Sequence, residues 1–177
     1  MQNSTSKVRV LTGTAMLGAV AAVLMYLEFP IPIMPAFVKL DVSELPALIA
    51  SFAYGPVSGI LVCLIKNLIK LPSTSTAAVG ELFNFVMGAL FVGVAGLIYK
   101  RNKTRKGAIV GALLGALVMA VVSVPYNYFI VYPAYVVMYH LPLDAIIGMY
   151  QAINPNVNGL LNCLLVFNLP FTFFKGM

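Results

Sequence analysis

The sequence predicts an all-α integral membrane protein with six transmembrane helices in a single membrane domain, 1–177. Three observations carry this expectation. First, the chain is 61% hydrophobic and 9% charged, with a mean hydropathy of +0.97. Soluble domains hold about 45–50% apolar and about 25% charged residues. Second, apolar runs long enough to cross a bilayer recur, the first from Val10 to Phe29; about 20 apolar residues suffice for one crossing. Third, seven of the eleven cations fall in two places, Lys7/Arg9 and the run Lys100, Arg101, Lys103, Arg105, Lys106, as expected of cytoplasmic segment ends. That distribution explains the net charge of +6 without invoking nucleic acid.

The first helix, 8–29, reads as a span with a cytoplasmic N-terminus rather than as a cleaved leader. Ala15 and Ala19 lie four apart on one face, and such a small-residue face allows close helix approach in lipid, either within this chain or to another subunit. The outer loop from Pro30 to Leu40 carries Pro30, Pro32 and Pro35, which exclude helix. Irregular backbone at membrane depth is tolerated only where protein covers it or where it lines a cavity, so this loop reads as one wall of a ligand site. Asp41 followed by Glu44 has capping-box spacing and predicts the start of the second helix, 42–54. Gly55-Pro56 breaks the chain before the third, 56–71, which holds Lys66, Asn67 and Lys70. Both are short for a crossing and read as shortened or tilted helices around a cavity.

A polar stretch, PSTST at 72–76, precedes the fourth helix, 77–100, with Glu81 and Asn84 near its outer end. The fifth, 107–132, is glycine-rich at first and runs into Tyr126, Asn127, Tyr128, Tyr132 and Tyr135, interrupted by Pro125 and Pro133. That cluster fits an interfacial aromatic belt or a pocket wall. Residues 138–162 read as a mixed outer loop with room for a short helix. The last helix, 158–177, contains Lys175, a functional candidate by its place in an apolar segment or a lysine snorkelling at a helix end. With the basic run inside, six crossings result and the C-terminus is inside.

The chemistry points to binding rather than catalysis. There is no HExxH, no paired cysteine and no carboxylate cluster with metal spacing, so neither a metal site nor a catalytic residue is expected. The single histidine, His140, reads as a surface or interface residue, and Cys63 and Cys163 as small core residues. What remains is a set of polar groups at outer helix ends, among them Asp41, Glu44, Lys66, Lys70, Glu81, Asn84, Asn127 and Lys175. Amides set among tyrosines and phenylalanines suit a flat, polar-edged molecule: rings stack on it and amides read its edge.

The stretch FPIPIMPAFVKLDVSELPALIASFAYGPVSGILVCLIKNLI (29–69) resembles the first loop and next two helices of the riboflavin-binding S components of energy-coupling-factor (ECF) vitamin transporters, the RibU family. VGELFNFVMGA (79–89), SVPYNYFIVYPAY (123–135) and LPFTFFKG (169–176) follow in matching order. The resemblance implies a multi-pass protein of the bacterial plasma membrane, not an enzyme. It would capture riboflavin from outside and topple in the membrane to deliver it through a transmembrane coupling protein and two ATPase subunits. Riboflavin is then the transported ligand, with no cofactor implied. Asn127 would contact the flavin ring, with Tyr128 and Tyr132 in the same motif, and Phe37, Lys39, Leu40 and Asp41 would close over the ligand. Glu81 and Asn84 join this expected set from the polar groups above. Lys175 keeps its place in the final motif, while Thr172 stands where asparagine is common. Ala15 and Ala19 match the family's docking motif. The family's last helix continues past this motif, and Pro170 suits a helix start, so the last helix reads as truncated here; a start near Asn158 is the other possibility. The change at Thr172 leaves an S component for a different vitamin or a flavin precursor as the alternative, ahead of a membrane-embedded enzyme or a structural scaffold.

Overall fold

The computed structural model describes residues 2–32, 34–35, 38–74, 78–139, 142–157 and 159–177. Four helical spans among them are long and apolar enough to cross a membrane: Ser6–Tyr26, Pro56–Ser73, Val79–Arg101 and Arg105–Met138; Leu160–Gly176 is a shorter apolar helix. The first helix, α1 (Gln2–Tyr26), buries Thr14, Gly18, Ala21, Ala22 and Met25. These positions recur every three to four residues and form one face. Ala15 and Ala19 lie off that face and are exposed.

The proline-rich loop is closed at its base by a two-stranded antiparallel ribbon, β1 (Phe29–Pro30) and β2 (Lys39–Leu40), with Phe29 opposite Leu40 and Pro30 opposite Lys39. The next helix, α2 (Glu44–Tyr54), begins later than the capping-box spacing predicts, and Ser43 is its N-cap. Asp41 instead accepts from the Ser43 amide at 2.9 Å, and the Glu44 carboxylate turns away to Lys66. A buried lysine outcompetes one backbone N–H for a carboxylate, because its own charge must be compensated. Gly55, with φ of 105°, makes the turn into α3 (Pro56–Lys70), whose first-turn Pro56 lacks an N–H that would be unpaired there anyway.

α4 (Val79–Arg101) and α5 (Arg105–Tyr126) form the most extensive helix pair. Thr104 caps α5 by accepting from the Gly107 amide at 3.0 Å. A Cβ on Gly111 would sit 2.8 Å from the Ala95 carbonyl oxygen, and one on Gly115 2.6 Å from that of Phe91. The glycines thus let the two backbones touch. The rest of the chain forms α6 (Tyr132–Tyr139), α7 (Leu143–Gln151), α8 (Leu160–Cys163) and α9 (Leu169–Gly176). α7 occupies part of the stretch read as an outer loop; His140 and Asn158 lie outside the described residues.

Two widened π turns join these helices, Asn127–Val131 between α5 and α6 and Leu164–Asn168 between α8 and α9. Each is followed two residues later by a proline, Pro133 or Pro170. A proline in a helix clashes with the carbonyl four residues back. Here those carbonyls belong to Phe129 and Val166, inside the widened turns, and the extra residue per turn accommodates the ring. The last helix therefore runs through Pro170 from Leu160 instead of starting at the proline.

Apolar packing gathers in two clusters. One holds Ala47, Val62, Met87, Phe91 and Met119 from α2 to α5; the other holds Tyr132, Ile146, Tyr150 and Leu164 from α6 to the second π turn.

Candidate functional site

A cavity lies at the end of the bundle where α1 ends and α4 begins. It touches both clusters, with Met87 and Met119 on one side and Tyr132 on the other. Its polar wall is built by residues far apart in sequence.

Asp41, at the exit of the ribbon, is 6% exposed. Its Oδ1 accepts from both the amide and the hydroxyl of Ser43. Its Oδ2 accepts from Lys175 Nζ at 2.9 Å, and the same ammonium donates to Asn84 Oδ1 at 2.9 Å. Below this lies Lys66, with no exposed surface, donating to Ser43 Oγ at 2.6 Å and to Glu44 Oε1 at 2.8 Å. Gly88 on α4 makes room for that pair, since a Cβ there would meet Glu44 Oε2 at 2.8 Å. Two acids and two lysines share one continuous set of hydrogen bonds, so the buried group carries no net charge. Such a pair survives burial only when matched and hydrogen-bonded in this way. Burial raises the Asp41 carboxyl, but the charges of Lys175 and Lys66 and the Ser43 hydrogen bond prevail and hold it well below its ordinary value.

A second ionic group fastens the ribbon. Glu28 accepts from Lys39 at 2.7 Å and from Lys70. Lys70 also donates to the Met25 carbonyl at 3.1 Å, tying the loop to α1 and α3. Partial burial raises Glu28, and the two lysines more than offset it, so its pKa lies below the usual 4.5.

Amides and rings complete the wall. Asn127, at the first π turn, uses one amide hydrogen to donate to the Ser123 carbonyl at 2.8 Å, which leaves its carbonyl oxygen for other partners. Asn168, at the end of the second π turn, and Thr172 on α9 also line the cavity, as do the rings of Phe83 and Phe171. Glu81 accepts from Thr74 at 2.7 Å.

Of the residues predicted for the site, Lys39, Asp41, Glu81, Asn84, Asn127, Tyr132, Thr172 and Lys175 line this cavity. Leu40 does not line it; it pairs with Phe29 in the ribbon. Tyr128 is 40% exposed and packs edge-on against Phe129, away from the cavity. Phe37 lies outside the described residues. Glu28, Glu44, Lys70 and Asn168 line the cavity without having been predicted as contacts. The available signal was charge inside apolar segments, which marked Glu44 and Lys70 only as polar groups. Among the described residues no group of three or more His, Cys, Asp or Glu could hold a metal, and Cys63 and Cys163 are free and buried.

The charges are sorted by end. Four acids and four lysines, Glu28, Asp41, Glu44, Glu81, Lys39, Lys66, Lys70 and Lys175, belong to the cavity end. Lys7 and Arg9 near the start of α1, and the run from Lys100 to Lys106 joining α4 to α5, lie at the other.

A model of the family described as "ECF transporter, substrate-specific component" matches residues 9–177. The riboflavin transporter RibU of Staphylococcus aureus (strain TCH60) is 39% identical over 127 residues, covering 72% of this chain and 67% of that protein. The riboflavin transporter FmnP of Bacillus subtilis (strain 168) is 35% identical over 174 residues, covering 97% of this chain and 86% of that protein. A solved structure described as "Structure and mechanism of the S component of a bacterial ECF transporter" matches with a TM-score of 0.74 at 34% identity, covering 99% of this chain and 88% of that one.

Proposed function

This chain belongs to the family of substrate-specific (S) components of ECF transporters, and from that premise we propose that its cavity captures riboflavin from outside the cell for uptake. The family is one of transporter components rather than enzymes. The observation that carries the reading is the cavity wall. Amides of Asn84, Asn127 and Asn168 stand among Tyr132, Phe83 and Phe171, while the neighbouring lysines Lys39, Lys66, Lys70 and Lys175 are engaged by carboxylates. Such a wall suits a neutral, flat molecule with a polar edge, and riboflavin is one. The relatives named above are riboflavin transporters, which supports the same ligand.

In this reading the protein crosses the bacterial plasma membrane six times. Both termini and the basic segments Lys7/Arg9 and 100–106 face the cytoplasm, and the ribbon and cavity face outward. The exposed Ala15–Ala19 face of α1 docks the transmembrane coupling protein of an ECF module that includes two ATPase subunits. No cofactor takes part.

The test is a flavin fluorescence-quenching titration of the detergent-purified protein. Saturable quenching at about one flavin per chain is expected; no quenching in folded protein overturns the reading. A second reading, another vitamin or a flavin precursor as ligand, rests on Thr172, a shorter hydrogen-bonding group than an amide at a cavity position. A competitor that displaces riboflavin at lower concentration than riboflavin itself would favour it.

A further inference from the structure

We propose that a second cavity, between the α2–α3 turn and the end of α4, binds the phosphate headgroup of an anionic phospholipid. The inference goes beyond the flavin reading and uses none of the residues of the flavin cavity.

This cavity, of about 350 Å³, lies at the basic end of the molecule. It is lined by Phe52 and Tyr54 at the end of α2, by Val57 in the first turn of α3, and by Tyr99, Lys100 and Lys103 where α4 ends. Its walls are held by packing. The rings of Phe52 and Tyr99 meet with centroids 4.7 Å apart. Gly96 lets α4 approach the turn, since a Cβ there would lie 3.2 Å from the Pro56 Cα. The volume is at the small end for a ligand cavity, about 300–1,000 Å³, which suits a headgroup.

The charge of this cavity is one-sided. Each of the lysines Lys39, Lys66, Lys70 and Lys175 at the other end has a carboxylate. Among the described residues, Lys100 and Lys103 have no ionic partner, and the hydroxyls of Tyr54 and Tyr99 have no hydrogen-bond partner. The chain has five acids, and none of them lines this cavity. Two ammonium groups and two phenol hydroxyls with no acid among them select an anion with several acceptor oxygens. A phosphate diester is such an anion.

The neighbouring surface assigns that anion to a lipid. Val57 opens a row on α3 that continues through Leu61, Leu64 and Leu68, all exposed. Their spacing places them on one helix face. An acyl chain can lie along this row while its headgroup occupies the cavity; a free phosphate has no use for it. Lysines at a cytoplasmic helix end satisfy the positive-inside rule by themselves. A basic cavity between helices on that side does more, because it offers a headgroup a place to sit. The bound headgroup bridges the α2–α3 turn to the end of α4.

The experiment is native mass spectrometry of the full-length protein in neutral detergent, with fold checked by circular dichroism. The probes are dioleoylphosphatidylglycerol, dioleoylphosphatidylcholine and, as a headgroup without chains, glycerol phosphate. Lys100→Gln with Lys103→Gln is compared with Arg105→Gln with Lys106→Gln, which removes two charges of the same basic run outside the cavity. The wild type is expected to bind phosphatidylglycerol more tightly than phosphatidylcholine. The first double variant is expected to bind phosphatidylglycerol about ten- to thirtyfold more weakly, the loss of two lysines from an anionic lipid, and the second to change by less than about threefold. Equal losses in both double variants reduce the effect to overall charge and overturn the site, as does an unchanged affinity in the first. Glycerol phosphate that binds as tightly as phosphatidylglycerol overturns the assignment to a lipid. Intact lipid affinity in the first double variant, with uptake lost in cells, assigns the cavity to an acidic segment of the coupling protein and overturns the inference as well. Both lysines are exposed, so the variant is expected to fold; should it not, Lys103→Gln alone decides, and an unchanged affinity overturns the inference. A wild type that binds phosphatidylglycerol but not riboflavin sinks the proposed function and leaves this inference standing.

Discussion

Lys175 holds together parts of the chain that are distant in sequence. Its ammonium links α9 to Asp41, 134 residues away, and to Asn84, 91 residues away. Lys175→Met keeps most of the side chain and removes the charge, leaving Asp41 buried and short of its partner. Breaking one side of a buried pair costs about 3–5 kcal/mol, so a large fall in Tm is expected in a thermal melt, with weaker riboflavin binding. A variant that melts like wild type would show that the pair contributes nothing. The acid titration follows from the carboxylates. Asp41 and Glu28 have folded pKa values below their ordinary 3.8 and 4.5. Their contribution is therefore complete above those ordinary values and is lost as the pH falls through the lower folded ones. Tm is expected to stay level from about pH 8 to about pH 5 and to drop below about pH 4. A steady decline between pH 7 and pH 5 would contradict these assignments. Lys175 and Asp41 stood out in the sequence individually, as charges that need a reason in an apolar chain. Their partnership did not, because nothing local joins residues so far apart. The capping-box reading of Glu44 failed for the same reason: its partner, Lys66, arrives from another helix.

At the scale of elements, the ribbon and the two π turns shape the cavity. The ribbon is fastened through Glu28, which holds Lys39 beside it and Lys70 on α3. Lys39 is over a third exposed, so its pair contributes within about 1 kcal/mol, whereas Lys70 is buried and would be left without its carboxylate. Glu28→Gln should therefore lower Tm, by less than Lys175→Met, and speed riboflavin release, as read by stopped-flow quenching. An unchanged release rate would mean that the ribbon does not retain the ligand. The irregular loop was legible in the sequence because Pro30, Pro32 and Pro35 crowd too closely for a helix to absorb them; the helix after Gly55 read as short for a crossing, yet the helical span Pro56–Ser73 is long enough for one. The π turns were not legible. Pro170 read locally as a helix start, and only packing reveals a helix that widens and continues through it. Asn168 escaped notice for that reason, since its place facing the cavity depends on the extra residue in the turn.

For the whole molecule, composition announced a helical membrane protein, and the burial of α1 separates its two small-residue faces. Gly18, Ala21 and Ala22 pack inward, whereas Ala15 and Ala19 remain on the outside. Sequence could not choose between these uses of a small-residue stripe, because both obey the same spacing. Ala15→Leu with Ala19→Leu should leave riboflavin affinity intact in the isolated protein and abolish uptake in cells carrying the coupling subunits, since bulk there prevents close helix approach. Uptake that survives both changes would place the docking surface elsewhere.

The sorting of charge also sets the electrical work of transport. Carrying one elementary charge through 100 mV involves about 2.3 kcal/mol. The cavity end sets four acids against four lysines, and the chain's fifth acid, Asp144 at the start of α7, brings the balance outside the basic end to −1, so a membrane field has little net charge to act on there. The opposite end carries seven cations; in the orientation proposed above, with that end at the inner surface, an inside-negative potential resists its departure, so voltage would act as a tether on one pole of the molecule and far less on the other.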